Sequence, residues 1–238
     1  MAIPGVADHL LILLIAVAYP VYAALVWYWR FRPGLLAGEA GALVGFYRSA
    51  IIELWLLAAV VLSWWFSGGR PAVGIGLGAP GGWAFWIGVT VVVAVALALG
   101  RQVAVVRSSA EARTQARKQL GGSTALIVPR NARERRIAVA ASLTAGFCEE
   151  VLYRGFFLWY LMTWIPTSVA VGISAVIFGV AHLYQGLGGV IKAVVAGAVF
   201  GAAYLLTGSL WVPILLHATV DVTSLLTTSI ALEDGKGS

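Results

Sequence analysis

Charge is what this sequence has least of. Only 11% of its 238 residues are charged, against 61% hydrophobic, where soluble domains run at about 25% and about 45–50%. That excludes an ordinary soluble domain, and a mean hydropathy of +0.91 points to a membrane protein. Cysteine is nearly absent. Cys148 stands alone, so no intrachain disulfide can form, and it is read as a small packing residue. The first apolar run lacks a basic n-region, is too long, and is followed by Arg30 and Arg32, so it is not expected to be a cleavable signal peptide. The glycine-rich "SGGRPAVGIGLGAPGG" has no following Lys-Ser/Thr and no strand–helix setting, so it is a loop and not a phosphate cradle. No HExxH occurs. The net charge of +6 has no basic fold outside the bilayer to carry it, which argues against nucleic acid as a partner.

What the chain does have is long apolar runs. Those able to cross about 30 Å of hydrocarbon fall near 9–29, 43–66, 82–100, 136–161, 167–184, 189–207 and 210–231. The expectation is an all-α, polytopic transmembrane bundle of about seven spans, forming one integral-membrane domain over 1–238. Nine of the sixteen basic residues lie between Arg101 and Arg136, which marks a cytoplasmic connection at 101–135 that also attracts anionic lipid. By alternation the N-terminus falls outside and the C-terminal "EDGKGS" inside, in the plasma membrane. The stretch 101–120 reads as a helix prolonging the third span, broken by "GGSTALIVPRN". Gly197 and Gly201 have the spacing that lets helix backbones approach closely.

Once loops and span ends are set aside, few ionisable residues remain within the apolar spans: Glu53, Glu149, Glu150, Arg154, His182, His217 and Asp221. A charged acid at a span's centre costs about 2.5–3.5 kcal/mol on insertion scales, so such groups face a bundle interior and default to a functional reading. Glu150 and Arg154 are four apart, acid first, the favourable order for a helical ion pair. Glu149 lies about 100° round the helix from Glu150 and is left free for another role. His217 and Asp221 share a face, where the carboxylate could orient the imidazole. Glu53 has only Arg48 behind it as a patterned partner and is read as structural. One difficulty stands: the span boundaries put His182 near the cytoplasmic end of its helix but His217 nearer the outer end of its own.

Three of these stretches carry a resemblance. "EEVLYR" (149–154) matches EExxxR, "FGVAH" (178–182) matches FxxxH and "HATVD" (217–221) matches HxxxD/N, in order and each on a predicted span. This resembles the CPBP family of CAAX-protease and bacteriocin-processing intramembrane endopeptidases; the motif-bearing part is 136–231, and the eight spans usual for the family's eukaryotic members leave room for one more. The resemblance implies that Glu149 is the general base activating water, with Glu150 and Arg154 holding helix and base in place. It implies that His182, His217 and Asp221 bind that water and stabilise the oxyanion. The substrate would be a membrane-associated protein or peptide: a CAAX-like tail, a leader peptide or a C-terminal anchor. No cofactor is expected, although two histidines and a carboxylate could form an open zinc site. A non-enzymatic immunity or scaffold protein and a small proton-coupled transporter are the rival readings.

Overall fold

The computed structural model describes residues 3–233, and every regular element among them is helical. Each predicted span has a helix. α1 is the run Val6–Leu36, with π-type turns at Leu14–Ala18 and Trp27–Phe31; α2 is Ala42–Ser67 and α3 Gly82–Ser108. α4 is Ala110–Gln119, and α5 passes unbroken through Ala132–Glu150, Val151–Phe157 and Leu158–Met162. α6 is Thr167–Ala181, α7 Leu187–Thr207 and α8 Trp211–Glu233. Five of them (α1, α2, α3, α7 and α8) are long and apolar enough to cross a membrane. α6 is an apolar helix of 15 residues. α5 carries the charges, and its neighbours take them out of contact with lipid: Cys148 and the whole stretch Glu150–Trp159 are buried.

The prolonged third helix is two helices. Ser109 adopts extended backbone between them, and its Oγ accepts from Ala112 N at 3.2 Å, the N-cap geometry that starts a new helix. The same hydroxyl donates to Glu111 at 2.8 Å and holds that carboxyl below its ordinary range. The signal was present in the sequence, a serine pair just before a polar helical run. The break lets α4 fold back on α8, where Arg117 Nε donates to the carbonyl of Ala231; Arg135, at the start of α5, pairs with Glu233 at 2.7 Å. Beyond Glu233, the rest of "EDGKGS" lies outside the described residues.

α5 packs on α2 and α8, α6 on α7, and α3 on α8. Small residues set how closely they approach. A Cβ on Gly146 would sit 3.0 Å from Ala218, one on Gly197 3.1 Å from the Cα of Ala175, and one on Gly201 3.2 Å from Val171. The α7–α8 turn is sunk into the bundle rather than lying at its rim. Leu210 is fully buried, its N–H donates to the carbonyl of Gly76 at 2.8 Å, and a Cβ on Gly155 would meet its side chain at 3.1 Å.

The end of the bundle away from the basic connection is tied by an ion pair the sequence reading did not anticipate. Asp8, fully buried, accepts from both Arg70 guanidinium nitrogens at 2.7 Å, from Trp64 Nε1 at 3.0 Å and from Gly5 N at 2.8 Å. Arg70 also lies over the rings of Trp65 and Trp159, at 5.2 and 4.9 Å from their centroids. Sixty-two residues separate the two partners, so no local pattern announces them.

Candidate active site

The site forms on α5, where the helix widens. Glu149 and Glu150 close its regular part, and Val151–Phe157 follow as a π-type segment, a form of turn frequent at functional sites. Leu158 N reaches back five residues to the carbonyl of Tyr153, which also accepts from Ser174 Oγ at 3.1 Å and so ties α5 to α6. The adjacent glutamates diverge, as their angular offset requires.

Glu150 faces inward and has two partners. Its Oε1 accepts from Arg154 Nη1 at 2.9 Å and lies 2.9 Å from His217 Nδ1. All three side chains are almost wholly buried. The closest acid to His217 is therefore Glu150 and not Asp221, whose Oδ2 is 3.5 Å from Nε2 and whose side chain is 40% exposed. Arg154 is further held by rings: its guanidinium carbon lies 4.2 Å from the Phe178 centroid and 5.4 Å from that of Phe200. Phe178 in turn stands 4.6 Å from His182, and Phe200 stacks on His217 at 4.8 Å. Phe200 belongs to none of the three motifs, and its place on α7 gave no sign of this contact.

Glu149 points the other way, to the two histidines. Its Oε2 is 3.9 Å from His182 Nε2 and 3.8 Å from His217 Nε2, and it has no hydrogen-bond partner. His182 is oriented by its other nitrogen, 2.8 Å from the carbonyl of Phe178. A carbonyl only accepts, so Nδ1 carries a proton, and in the neutral ring Nε2 presents its lone pair. The same logic places a proton on His217 Nδ1, against the Glu150 carboxylate. His217 thus stands between two glutamates, one at each ring nitrogen, and all six residues named from the sequence fall in one cluster.

The difficulty of unequal depth disappears in the structure. Leu210 packs at the level of Gly155, so α8 starts well inside the bundle. Running antiparallel, six residues from Gly155 back to Glu149 and seven from Leu210 on to His217 cover about 9 and about 10 Å. α6 is short, and its C-terminal end brings His182 to the same level.

Glu149 and His182 also line a cavity of about 80 Å³ together with residues of α1 and α2, among them Tyr19, Trp27, Phe46 and Glu53, and with Tyr153, Ala181 and Tyr184. The motifs gave no indication that the first two helices close the site. A larger cleft of about 630 Å³, beside α4 and the start of α7, is lined by none of the six residues and is not the candidate site. As a zinc centre the cluster fits poorly. Ligands about 2.0–2.1 Å from a tetrahedral zinc stand about 3.3 Å apart, closer than the 3.8 and 3.9 Å between Glu149 and the imidazoles. Among the described residues no group of three or more His, Cys, Asp or Glu is placed to hold a metal ion.

The family model for type II CAAX prenyl endopeptidases, Rce1-like, matches residues 133–223. The chain carries an Rce1-like domain. This domain takes in α5 from its first turn, α6, α7 and α8 as far as Thr223, so all three motifs and all six clustered residues lie within it. It supports an intramembrane endopeptidase in general and agrees with the resemblance read from EExxxR, FxxxH and HxxxD/N. No curated protein and no solved structure matches the chain. α1 to α4 lie outside the Rce1-like match, although α1 and α2 wall the cavity that its Glu149 faces.

Proposed function

We propose that the protein hydrolyses a peptide bond of a membrane-associated substrate with water activated by Glu149. The observation that carries this reading is the unpartnered Glu149 Oε2, just under 4 Å from both imidazole Nε2 atoms. That is too far for direct hydrogen bonds and suits a water shared among them. Glu149 Oε2 and the His182 Nε2 lone pair are two acceptors for the two O–H donors of one water. Glu149 takes a proton as the water oxygen attacks the scissile carbonyl carbon. It returns that proton to the leaving nitrogen as the C–N bond breaks, giving a carboxylate and an amine.

His217 has a different part. Carboxylates face both of its ring nitrogens, Glu150 at Nδ1 and Glu149 with Asp221 at Nε2. They balance the charge of a doubly protonated ring, whose Nε2–H donates to the developing oxyanion. One such donor is worth about 10²–10³-fold, and a positioned general base about 10²–10⁴-fold. Glu150 and Arg154 touch no substrate; they hold His217 and the widened turn. Asp221, at the exposed edge, orients the donor edge of His217. No step passes through a metal.

The basic connection at 101–135 faces the cytoplasm in this reading, in contact with anionic lipid, and the N-terminus lies outside. The substrate is a CAAX-like tail, a leader peptide or a C-terminal anchor. The test is a comparison of membrane proteomes from cells carrying wild-type protein or Glu149→Ala. A membrane-associated protein that stays uncleaved only with the variant supports the reading; identical proteomes, with both proteins present at equal level, oppose it.

A further inference from the structure

Glu53 plays no part in this chemistry, yet it lines the same cavity as Glu149 and His182. Its Oε1 accepts from Ser49 Oγ at 2.5 Å and from Tyr22 Oη at 3.3 Å. Both are neutral hydroxyl donors, and no Lys or Arg is among the residues lining the cavity. The opposing walls are aromatic. Trp27 meets Phe46 edge-on at 5.3 Å and Tyr184 at 5.7 Å, and Phe46 stands 5.8 Å from Tyr184. Aromatic rings beside a carboxylate favour a cation, by quadrupole and by charge.

One further observation bears on the substrate backbone. Trp27, which lines the cavity, is 1% exposed and its indole N–H has no acceptor, so a carbonyl oxygen reaching it would satisfy it.

We infer that this cavity is a specificity subsite receiving a basic side chain, Lys or Arg, of the substrate beside the scissile bond. Glu53 supplies the counter-charge, and Trp27 donates to a substrate backbone carbonyl. The inference rests on the protease reading above, because it places this side chain next to the carbonyl that Glu149 and His182 address. A basic side chain at this depth is costly without an opposite charge. Glu53 therefore favours basic over neutral substrates at this position rather than all substrates alike.

The experiment uses the full-length protein in lipid nanodiscs and a library of membrane-anchored peptides randomised over the residues flanking the anchor. Cleavage by wild type should enrich Lys or Arg at one position near the cut, by about tenfold or more in kcat/KM, the scale of one charge-assisted contact. Glu53→Gln should narrow the basic-to-neutral ratio to within about twofold, and Glu53→Lys should shift the preference to Asp or Glu. In parallel, peptides retained by Glu149→Gln are sequenced and compared with those retained by the Glu149→Gln/Glu53→Gln double variant. Cleavage without a basic preference, or an equal loss for every peptide in Glu53→Gln, overturns the subsite and leaves the protease reading standing. Basic enrichment among retained peptides, lost in the double variant but with no cleavage by wild type, supports the subsite and overturns the protease reading. Neither cleavage nor selective retention overturns both.

Discussion

Removing Arg154 should cost both stability and activity, and a second substitution should separate the two. Arg154 is 1% exposed and Glu150 is fully buried, with 2.9 Å between them. In Arg154→Ala, Glu150 keeps only its contact with His217. Breaking a buried pair from one side costs about 3–5 kcal/mol where the remaining charge is left unpaired, and the His217 contact offsets part of that. The lost stacking on Phe178 adds about 2 kcal/mol where it is desolvated. Against a total stability of about 5–15 kcal/mol, the variant should show a much lower unfolding midpoint in detergent and a poor folded yield. Replacing the pair together, as Glu150→Gln/Arg154→Met, removes both charges of the pair and should recover much of the stability, since such swaps are often neutral. Activity should stay low, because His217 loses the carboxylate that fixes its Nδ1. The assay is a thermal or denaturant melt in detergent beside a cleavage rate for the same preparations. An Arg154→Ala protein that melts with wild type, or a double variant with normal turnover, would refute the reasoning.

Three further outcomes follow from the geometry. Gly197→Ala places a methyl 3.1 Å from both Arg154 Nη2 and the Cα of Ala175; overpacking of this kind costs about 1–3 kcal/mol, and it should lower the melt and the cleavage rate together. Asp8→Asn removes the charge from a buried carboxylate with four hydrogen-bonding donors. It should lower the unfolding midpoint by the equivalent of about 1.5–3 kcal/mol while leaving the cleavage preference among peptides unchanged, as a melt and a library profile would show. A strong chelator should leave turnover unchanged and zinc should not raise it; loss on chelation with recovery on zinc would return the imidazoles to a metal-binding role.

The sequence showed the cluster more clearly than it showed how the cluster is held. Intramembrane ionisable residues are few, and their four-residue spacings put Glu150 with Arg154 and His217 with Asp221, so the candidates could be named before any geometry. Depth was not legible. It depends on Leu210 seating against Gly155 and Gly76, a contact between turns more than fifty residues apart. The second partner of Glu150 was hidden for the same reason, since α8 reaches it only across the α5–α8 interface. Glu53 had no patterned neighbour, and its donors Ser49 and Tyr22 come from its own helix and from α1. The kink at Ser109 was legible as a capping residue, but the apolar run before it suggested one continuous helix. Span-by-span hydropathy also treats α5 like its neighbours, whereas α5 owes its place to burial within the protein.

Cleavage of a membrane-anchored peptide substrate by purified Glu149→Gln tests the central claim most directly. Glutamine keeps the size and hydrogen-bonding capacity of the side chain but cannot take a proton from water. The account predicts a protein that inserts and melts like wild type and cleaves about 10²-fold or more slowly, the scale of a general base. Near-normal turnover by the folded variant would contradict it and return the cluster to a structural or transport role.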